Sequence, residues 1–191
     1  MLKVQTKLLV CRTWKTKTVA AVLAVIAAVA LPQAFHALGM VTNMGTALGE
    51  TFLPMHLSIF LVGLFAGVWA GLFAGLLSPV LSFALTTLMG EPMPALAMLP
   101  FMVIELGVYG LTVGLLANIK MPTICKLLIA QIMGRAVRAV ALVIGVYVFG
   151  ASVPVAIIWN SLLAGLPGLI LQWVLVPLIV FYVEKKARRN D

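Results

Sequence analysis

The stretch PMHLSIFLVGLFAGVWAGLFAGLLSP, residues 54–79, is apolar almost throughout and carries a glycine at every fourth position from Gly63 to Gly75. Residues four apart on a helix lie one above another, so the glycines form one bare strip. Such a helix is weak in water, but in lipid its backbone groups have no other partner, and the helix forms. We therefore predict a membrane helix over 56–77, whose strip packs closely against another helix or a partner subunit.

The composition of the whole chain agrees with a membrane location. Of its 191 residues, 63% are hydrophobic and 9% are charged, and the mean hydropathy is +1.18. Soluble domains of this size do not have this balance. The net charge of +8 comes from basic residues in the gaps between apolar runs and at both ends. That distribution is a topology signal, so we expect membrane lipid as a partner and no nucleic acid.

Six apolar runs predict an all-α membrane protein, folded as one compact transmembrane domain over residues 1–191. A membrane-spanning helix needs about 20 apolar residues, and the third run is shorter than the others. A turn at Ser78–Pro79 is expected to separate the second run from the third. The predicted spans are 18–38, 56–77, a short run to about 89, 95–118, 124–149 and 155–183.

The positions of the basic residues predict the orientation. Eleven of the thirteen Lys and Arg residues lie in the N-terminal segment 1–17, the gap 118–126 or the tail 184–191, and the other two lie inside the fifth run. The first, third and fifth loops contain none. Because cytoplasmic segments are enriched in Lys and Arg, both termini and the tail are predicted to be cytoplasmic, and those three loops to face outward.

Three charged side chains lie inside predicted spans: Glu105, Arg135 and Arg138. A charge within the membrane costs at least about 2.5 kcal/mol and indicates a functional site. At a rise of about 1.5 Å per residue, Glu105 and Arg138 lie about 15 and 16 Å from the outer ends of their helices. The two are level and can pair, whereas Arg135 lies one turn deeper on the same face.

Two arginines and one glutamate leave one positive charge unmatched, and this has two interpretations. In the first, a guanidinium group binds the carboxylate or phosphate of a ligand. In the second, Arg138 only neutralises Glu105, and Arg135 extends to the inner interface or contacts a cytoplasmic partner. Both interpretations stay open for Arg138, while the second is favoured for Arg135.

Other polar residues lie near the predicted outer side. Asn43 and Glu50 are in the first loop, His36 and His56 are near helix ends, and Asn160 is near the start of the last span. A few polar groups among apolar and aromatic side chains suit a small ligand. The histidines and Glu50 have no metal-ligand spacing, so we expect no metal site.

The sequence has no motif for catalysis or nucleotide binding. It contains no Walker A loop, no HExxH and no GxSxG, which are the patterns of ATPases, zinc proteases and serine hydrolases. We expect no enzymatic activity and no cofactor. No inverted repeat is evident either, which weakens the case for a self-sufficient secondary carrier.

Several stretches together carry a resemblance to a known family. They are an alanine ladder in the first span, the run LPMHLSIFLVGLFAGVWAGLFAGLLSP at 53–79, the turn GEPMP at 90–94, and MLPFMVIELGVYGLTVGLL at 98–116. With six short helices and both termini inside, nearly the whole chain resembles the substrate-capturing S components of energy-coupling factor (ECF) vitamin transporters.

The resemblance implies a function and a set of partners. Such a subunit is a multi-pass protein of the bacterial cytoplasmic membrane that captures a vitamin or its precursor outside. It docks on a transmembrane coupling subunit joined to two ATPase subunits, topples, and releases its cargo inside. The implied docking face comprises Ala20, Ala24 and Ala28, with Gly63, Gly67 and Gly71. The implied substrate pocket comprises Asn43, Glu50, His56, Glu105, Arg138 and Asn160.

The cargo and two other classes of function stay open. Pantothenate, a small carboxylate, is the first expectation, because the charge count favours an anion. Cobalamin is the second, since the methionine-rich outer side would suit a larger apolar pocket. The chain could instead be a stand-alone proton-coupled carrier with Glu105 as its proton site. It could also be a structural membrane subunit in which Glu105 and Arg138 only hold helices together.

Overall fold

The computed structural model describes residues 14–42, 51–88, 90, 92–154 and 156–189, and their regular secondary structure is entirely α-helical. Four of the described helices, α3, α4, α5 and α7, are long and apolar enough to cross a membrane, while α1 and α2 contain shorter apolar segments. The all-helical class is therefore confirmed, and four helices agree with a membrane location, while the six spans and the orientation of the termini stay predictions. Among these residues the helices are α1 (Trp14–Val41), α2 (Pro54–Ala66), α3 (Val68–Leu88), α4 (Leu99–Leu116), α5 (Thr123–Tyr147), α6 (Ile157–Ala164) and α7 (Leu166–Arg189).

The glycine-rich run is a helical hairpin, so the prediction of one continuous helix over 56–77 is wrong. Gly67 separates α2 from α3 with φ 92° and ψ −169°, a backbone conformation that is essentially restricted to glycine. In a straight helix, residues eight apart lie about 12 Å apart along the axis. Here a Cβ built on Gly71 would lie 2.9 Å from the Cα of Gly63, which shows that the chain reverses at Gly67.

The turn expected at Ser78–Pro79 is absent, because both residues lie inside α3. The hydroxyl of Ser78 donates to the carbonyl oxygen of Ala74 at 2.6 Å, one turn back along the helix. Helix α3 continues to Leu88 and takes in the short run that was expected to be a separate third helix. The reversal therefore comes at the middle of the glycine strip rather than at its end.

Helix α4 packs against this hairpin, and its Gly110 contacts both α2 and α3. A Cβ on Gly63 would lie 3.1 Å from the carbonyl oxygen of Gly110, and one on Gly71 would lie 2.5 Å from it. Gly114, one turn further along α4, contacts the backbone of Val68 beside the turn. A side chain at Gly71, Gly110 or Gly114 would collide with backbone atoms, so the close backbone approach that the glycine spacing predicts is confirmed within a single chain.

The predicted docking role of the glycines stays a prediction, and in this structure the chain's own helices pack against the strip. Gly63, Gly67 and Gly71 are all buried, and the close neighbours of Gly63 and Gly71 belong to α2 and α4 of the same chain. A partner subunit could not reach them without separating the hairpin from α4.

The alanine ladder of α1 also faces the chain's own helices. Ala28 is fully buried in the main core, and Ala24 packs against the cluster that contains Val62, Ala66 and Ala74. The side chain of Ala20 lies outside the described residues. The expected docking surface on α1 is therefore occupied by intramolecular packing at Ala24 and Ala28. The exposed side chains of this helix are larger and aliphatic, among them Val19, Val22, Leu23 and Ile26.

The main core lies between α1, α2, α4, α5 and α7. Phe60 and Tyr109 are its largest buried aromatic side chains, with ring centroids 5.3 Å apart. Leu127 and Val176 add the contributions of α5 and α7. This core fixes the position of Tyr109, which in turn contacts the charged residues described below.

The last predicted span is divided, and its tail is helical. Gly165 separates the short helix α6 from α7, and α7 continues to Arg189. The expected solvated tail from residue 184 is thus part of a helix through Arg189, while the last two residues, like segment 1–13, lie outside the described residues. At the same end of the bundle, Lys126 Nζ donates to the carbonyl oxygen of Ala117 at 2.7 Å, which satisfies a carbonyl at the end of α4.

Candidate functional site

A cavity of about 660 Å³ lies at the end of the bundle away from Gly67. Its walls come from α2, α4, α5 and α6, and from the connection between α3 and α4. Four of the expected pocket residues line it: His56, Glu105, Arg138 and Asn160. The other two, Asn43 and Glu50, lie outside the described residues.

Glu105 and Arg138 form an ion pair in the wall of this cavity. Arg138 Nη1 lies 2.9 Å from Glu105 Oε2, which confirms the pairing predicted from their equal depth. The hydroxyl of Tyr109 donates to the other carboxylate oxygen, Glu105 Oε1, at 2.7 Å. Glu105 is only 1% exposed. Both of its oxygens therefore have protein partners, as a buried carboxylate requires.

A glycine on the neighbouring helix makes room for this arrangement. A Cβ on Gly134 of α5 would collide with the Tyr109 ring carbons Cδ1 and Cε1. The other side of the ring packs near Phe60 and His56, at centroid distances of 5.3 and 5.4 Å. The absence of a side chain at Gly134 thus places the Tyr109 hydroxyl against Glu105.

Arg135 is the guanidinium for which the described residues supply no ion pair and no hydrogen bond. It lines the cavity, and its buried Nε atom is unpartnered in that part of the chain. The prediction that Arg135 extends to the inner interface is wrong, because the side chain contributes to the cavity wall. Since Glu105 neutralises Arg138, the described charged residues that line the cavity carry one net positive charge, that of Arg135.

His56 is a second polar residue with an unpartnered atom in the cavity wall. It is 5% exposed, and no atom of the described residues hydrogen-bonds its buried Nδ1. It sits in the first turn of α2, where its backbone N–H donates to the carbonyl oxygen of Leu53 at 3.1 Å. Leu53 itself has a left-handed backbone with φ 49°, so the chain makes a sharp entry into α2 that brings His56 into the cavity wall.

No known protein family, characterised protein or solved structure matches this chain. The chemistry of its ligand must therefore be argued from the cavity itself. Apolar side chains such as Met98, Met102 and Ile157 form much of the wall. The charged and titratable side chains in the wall are His56, Glu105, Arg135 and Arg138 among the described residues. The arrangement suits a small molecule with a hydrocarbon part and an anionic group.

The connection between α3 and α4 is fixed on one side of the cavity. The Thr86 oxygen accepts a hydrogen bond from the backbone N–H of Met93 at 2.8 Å. Gln33 of α1 reaches the neighbouring Ser82 hydroxyl at 3.4 Å. Pro92, Met93 and Pro94 line the cavity, so these bonds hold part of its wall in place.

A buried glutamine pair on α5 and α7 was not predicted from the sequence. Gln131 Nε2 donates to Gln172 Oε1 at 3.0 Å, and Trp173 Nε1 donates to Gln131 Oε1 at 2.7 Å. Gln131, Arg135 and Arg138 follow one another at spacings of four and three, which places them on one helix face. That stripe is the signal by which Gln131 could have been found.

Proposed function

We propose that this chain is the substrate-capturing subunit of an ECF-type importer in the bacterial cytoplasmic membrane, and that it binds a small carboxylate, with pantothenate as the first candidate. The observation that carries the proposal is Arg135 in the cavity wall, which has no partner among the described residues. A partly buried charge without a counter-ion is costly. A ligand carboxylate would pair with the guanidinium through bidentate, charge-assisted hydrogen bonds.

The size of the cavity favours a small cargo. Ligand pockets commonly measure about 300–1,000 Å³, and this one measures about 660 Å³. Cobalamin is a macrocycle several times larger than pantothenate, so the cavity supports pantothenate over cobalamin. The methionines in the wall, including Met98 and Met102, would pack against the hydrocarbon part of such an acid.

The distribution of basic residues supports an outward-facing cavity. In the proposed topology α1, α2, α3, α4, α5 and α7 make six passes, and α6 lies at the cavity end. Lys15, Lys120, Lys126 and Lys185 belong to helix ends and a connection at the opposite end of the bundle. The enrichment of Lys and Arg on the cytoplasmic side then puts both termini inside and the cavity outside, where capture would take place.

The energy for import would come from partners. Without a Walker A loop in its own sequence, the chain would depend on a transmembrane coupling subunit and two ATPase subunits. The proton-coupled alternative would need Glu105 to release its partners during each cycle. Its pairing with both Arg138 and Tyr109 favours a fixed role instead. A purely structural subunit would have no use for Arg135 in a cavity.

The proposal is tested by expressing tagged chain in its native host and identifying what copurifies, then titrating the purified chain with pantothenate and with cobalamin by calorimetry. We expect ATPase subunits in the purified complex and tight binding of pantothenate by the isolated chain. Uptake that persists after deletion of the ATPase genes would contradict an ECF role and favour the proton-coupled carrier. Binding of neither compound would contradict the proposed cargo.

A further inference from the structure

Three buried nitrogen atoms have no hydrogen-bond partner in the described part of the chain: His56 Nδ1, Arg135 Nε and Arg138 Nε. All three belong to residues that line the same cavity. Buried polar atoms are nearly always paired in proteins, so three of them in one wall need an explanation. They do not pair with each other, although the residues are close enough for Arg135 and Arg138 to influence His56 electrostatically.

His56 differs from the two arginines in what it can bind. Its Nδ1 accepts a hydrogen bond when the ring proton is on Nε2 and donates one when the proton is on Nδ1, whereas an arginine only donates. The obvious acidic neighbour is Glu105, but Arg138 and Tyr109 already occupy its two oxygens. His56 thus lines the cavity with a polar atom that the described residues leave unused, and its ring lies near that of Tyr109.

We propose that His56 is a specificity-determining residue, which hydrogen-bonds a hydroxyl or amide group of the ligand whose carboxylate is held by Arg135. The inference rests on the proposed carboxylate site and names its substrate class. The site would take hydroxy- or amido-carboxylic acids in preference to plain hydrocarbon acids of the same shape. A site built to hydrogen-bond a substrate group rejects analogues that lack the group, because its own polar atom is then left unpaired.

The test uses matched acids that differ only in hydroxyl groups. One pair is pantothenate and its counterpart without the two hydroxyls; the other is mandelate and phenylacetate. The two pairs place the hydroxyl at different distances from the carboxylate. Affinities are measured by calorimetry for the purified full chain, for His56→Phe, for His56→Gln, and for Leu115→Ala, a control at an exposed position of α4 that does not line the cavity.

We expect the wild type to bind the hydroxylated member of at least one pair about tenfold or more tightly than its counterpart. His56→Phe should lose this preference while still binding the plain acid, and the control Leu115→Ala should keep it. His56→Gln retains a hydrogen-bonding side chain and should keep part of the preference. If His56→Phe does not fold, His56→Gln still tests the role of His56.

The outcomes separate this inference from the proposed function. Equal affinity for both members of each pair in the wild type, or a preference that survives in His56→Phe, overturns the role of His56 and leaves the carboxylate site standing. A wild-type chain that binds none of the four acids overturns the carboxylate site and the inference together.

Discussion

Arg138 of α5 and Glu105 of α4 meet in the cavity wall with Nη1 and Oε2 2.9 Å apart. The pair joins two helices, and the carboxylate is also held by Tyr109. Because both carboxylate oxygens are occupied, Glu105 is a fixed element of the wall that neutralises one of two neighbouring arginines. This arrangement leaves Arg135 as the charge available to a ligand.

Removal of one member of the ion pair is expected to destabilise the fold strongly. Arg138→Gln leaves Glu105 as a buried charge without its counter-ion, which costs about 3–5 kcal/mol. The double variant with Glu105→Gln removes both charges and should recover most of that loss. Unfolding of the two variants and the wild type in detergent measures the difference. A double variant as unstable as Arg138→Gln would show that the unpaired charge of Glu105 is not the cause of the lost stability.

Gly134→Ala is expected to disturb the site through Tyr109. The added methyl group would collide with the Tyr109 ring, and overpacking of this kind costs about 1–3 kcal/mol. Displacement of the ring should weaken the contact to Glu105, so ligand affinity should fall together with stability. Val140→Ala, at an exposed position of the same helix, is the control. Unchanged stability of Gly134→Ala would contradict the close packing at this crossing.

Gly67→Ala is expected to impair folding of the hairpin. Its backbone conformation is restricted almost entirely to glycine, and a side chain there costs about 1–3 kcal/mol. Ala84→Leu, on an exposed face of α3, should have little effect. The yield of folded protein and its thermal unfolding in detergent provide the measurement. If Gly67→Ala folds as stably as the wild type and loses only transport, that result would support the predicted docking role of this glycine.

Gln131→Leu should loosen the contact between α5 and α7. The substitution leaves Trp173 Nε1 and the Gln172 side chain without their partner, and a buried unsatisfied group costs about 1–3 kcal/mol. A stability measurement should show this loss, and replacement of Gln172 by Leu in the same chain should restore part of it. Additive losses in the double variant would argue against a shared network.

The sequence predicted those features that depend on composition or on position along a helix. Apolar runs predicted an all-helical membrane protein, and the depth of two charges predicted that Glu105 and Arg138 meet. Both follow from fixed helix geometry. The close approach at the glycines was also predicted, because spacing of four places bare backbone on one face.

The reversal at Gly67 could not be predicted in the same way. Four glycines at equal spacing are chemically alike, and nothing polar marks the turn, because it is stabilised by packing on Gly110 and Gly114 of α4. The role of Arg135 was misjudged for a similar reason. Its depth allows both an extended conformation toward the interface and one that lines the cavity, and only the arrangement of the neighbouring helices decides between them.

In the proposed site, Arg135 holds the carboxylate of a small ligand in the cavity. Calorimetric titration of the purified chain with pantothenate and with panthenol, in which an alcohol replaces the carboxylate, tests it most directly. We predict that the wild type prefers pantothenate by about tenfold or more, since charge-assisted hydrogen bonds contribute about 1.5–3 kcal/mol. Arg135→Gln should lose this preference, whereas Lys120→Gln, which removes an exposed charge at the other end of the bundle, should retain it. Equal affinity for the two compounds, or a preference unchanged in Arg135→Gln, would show that Arg135 does not hold the ligand carboxylate.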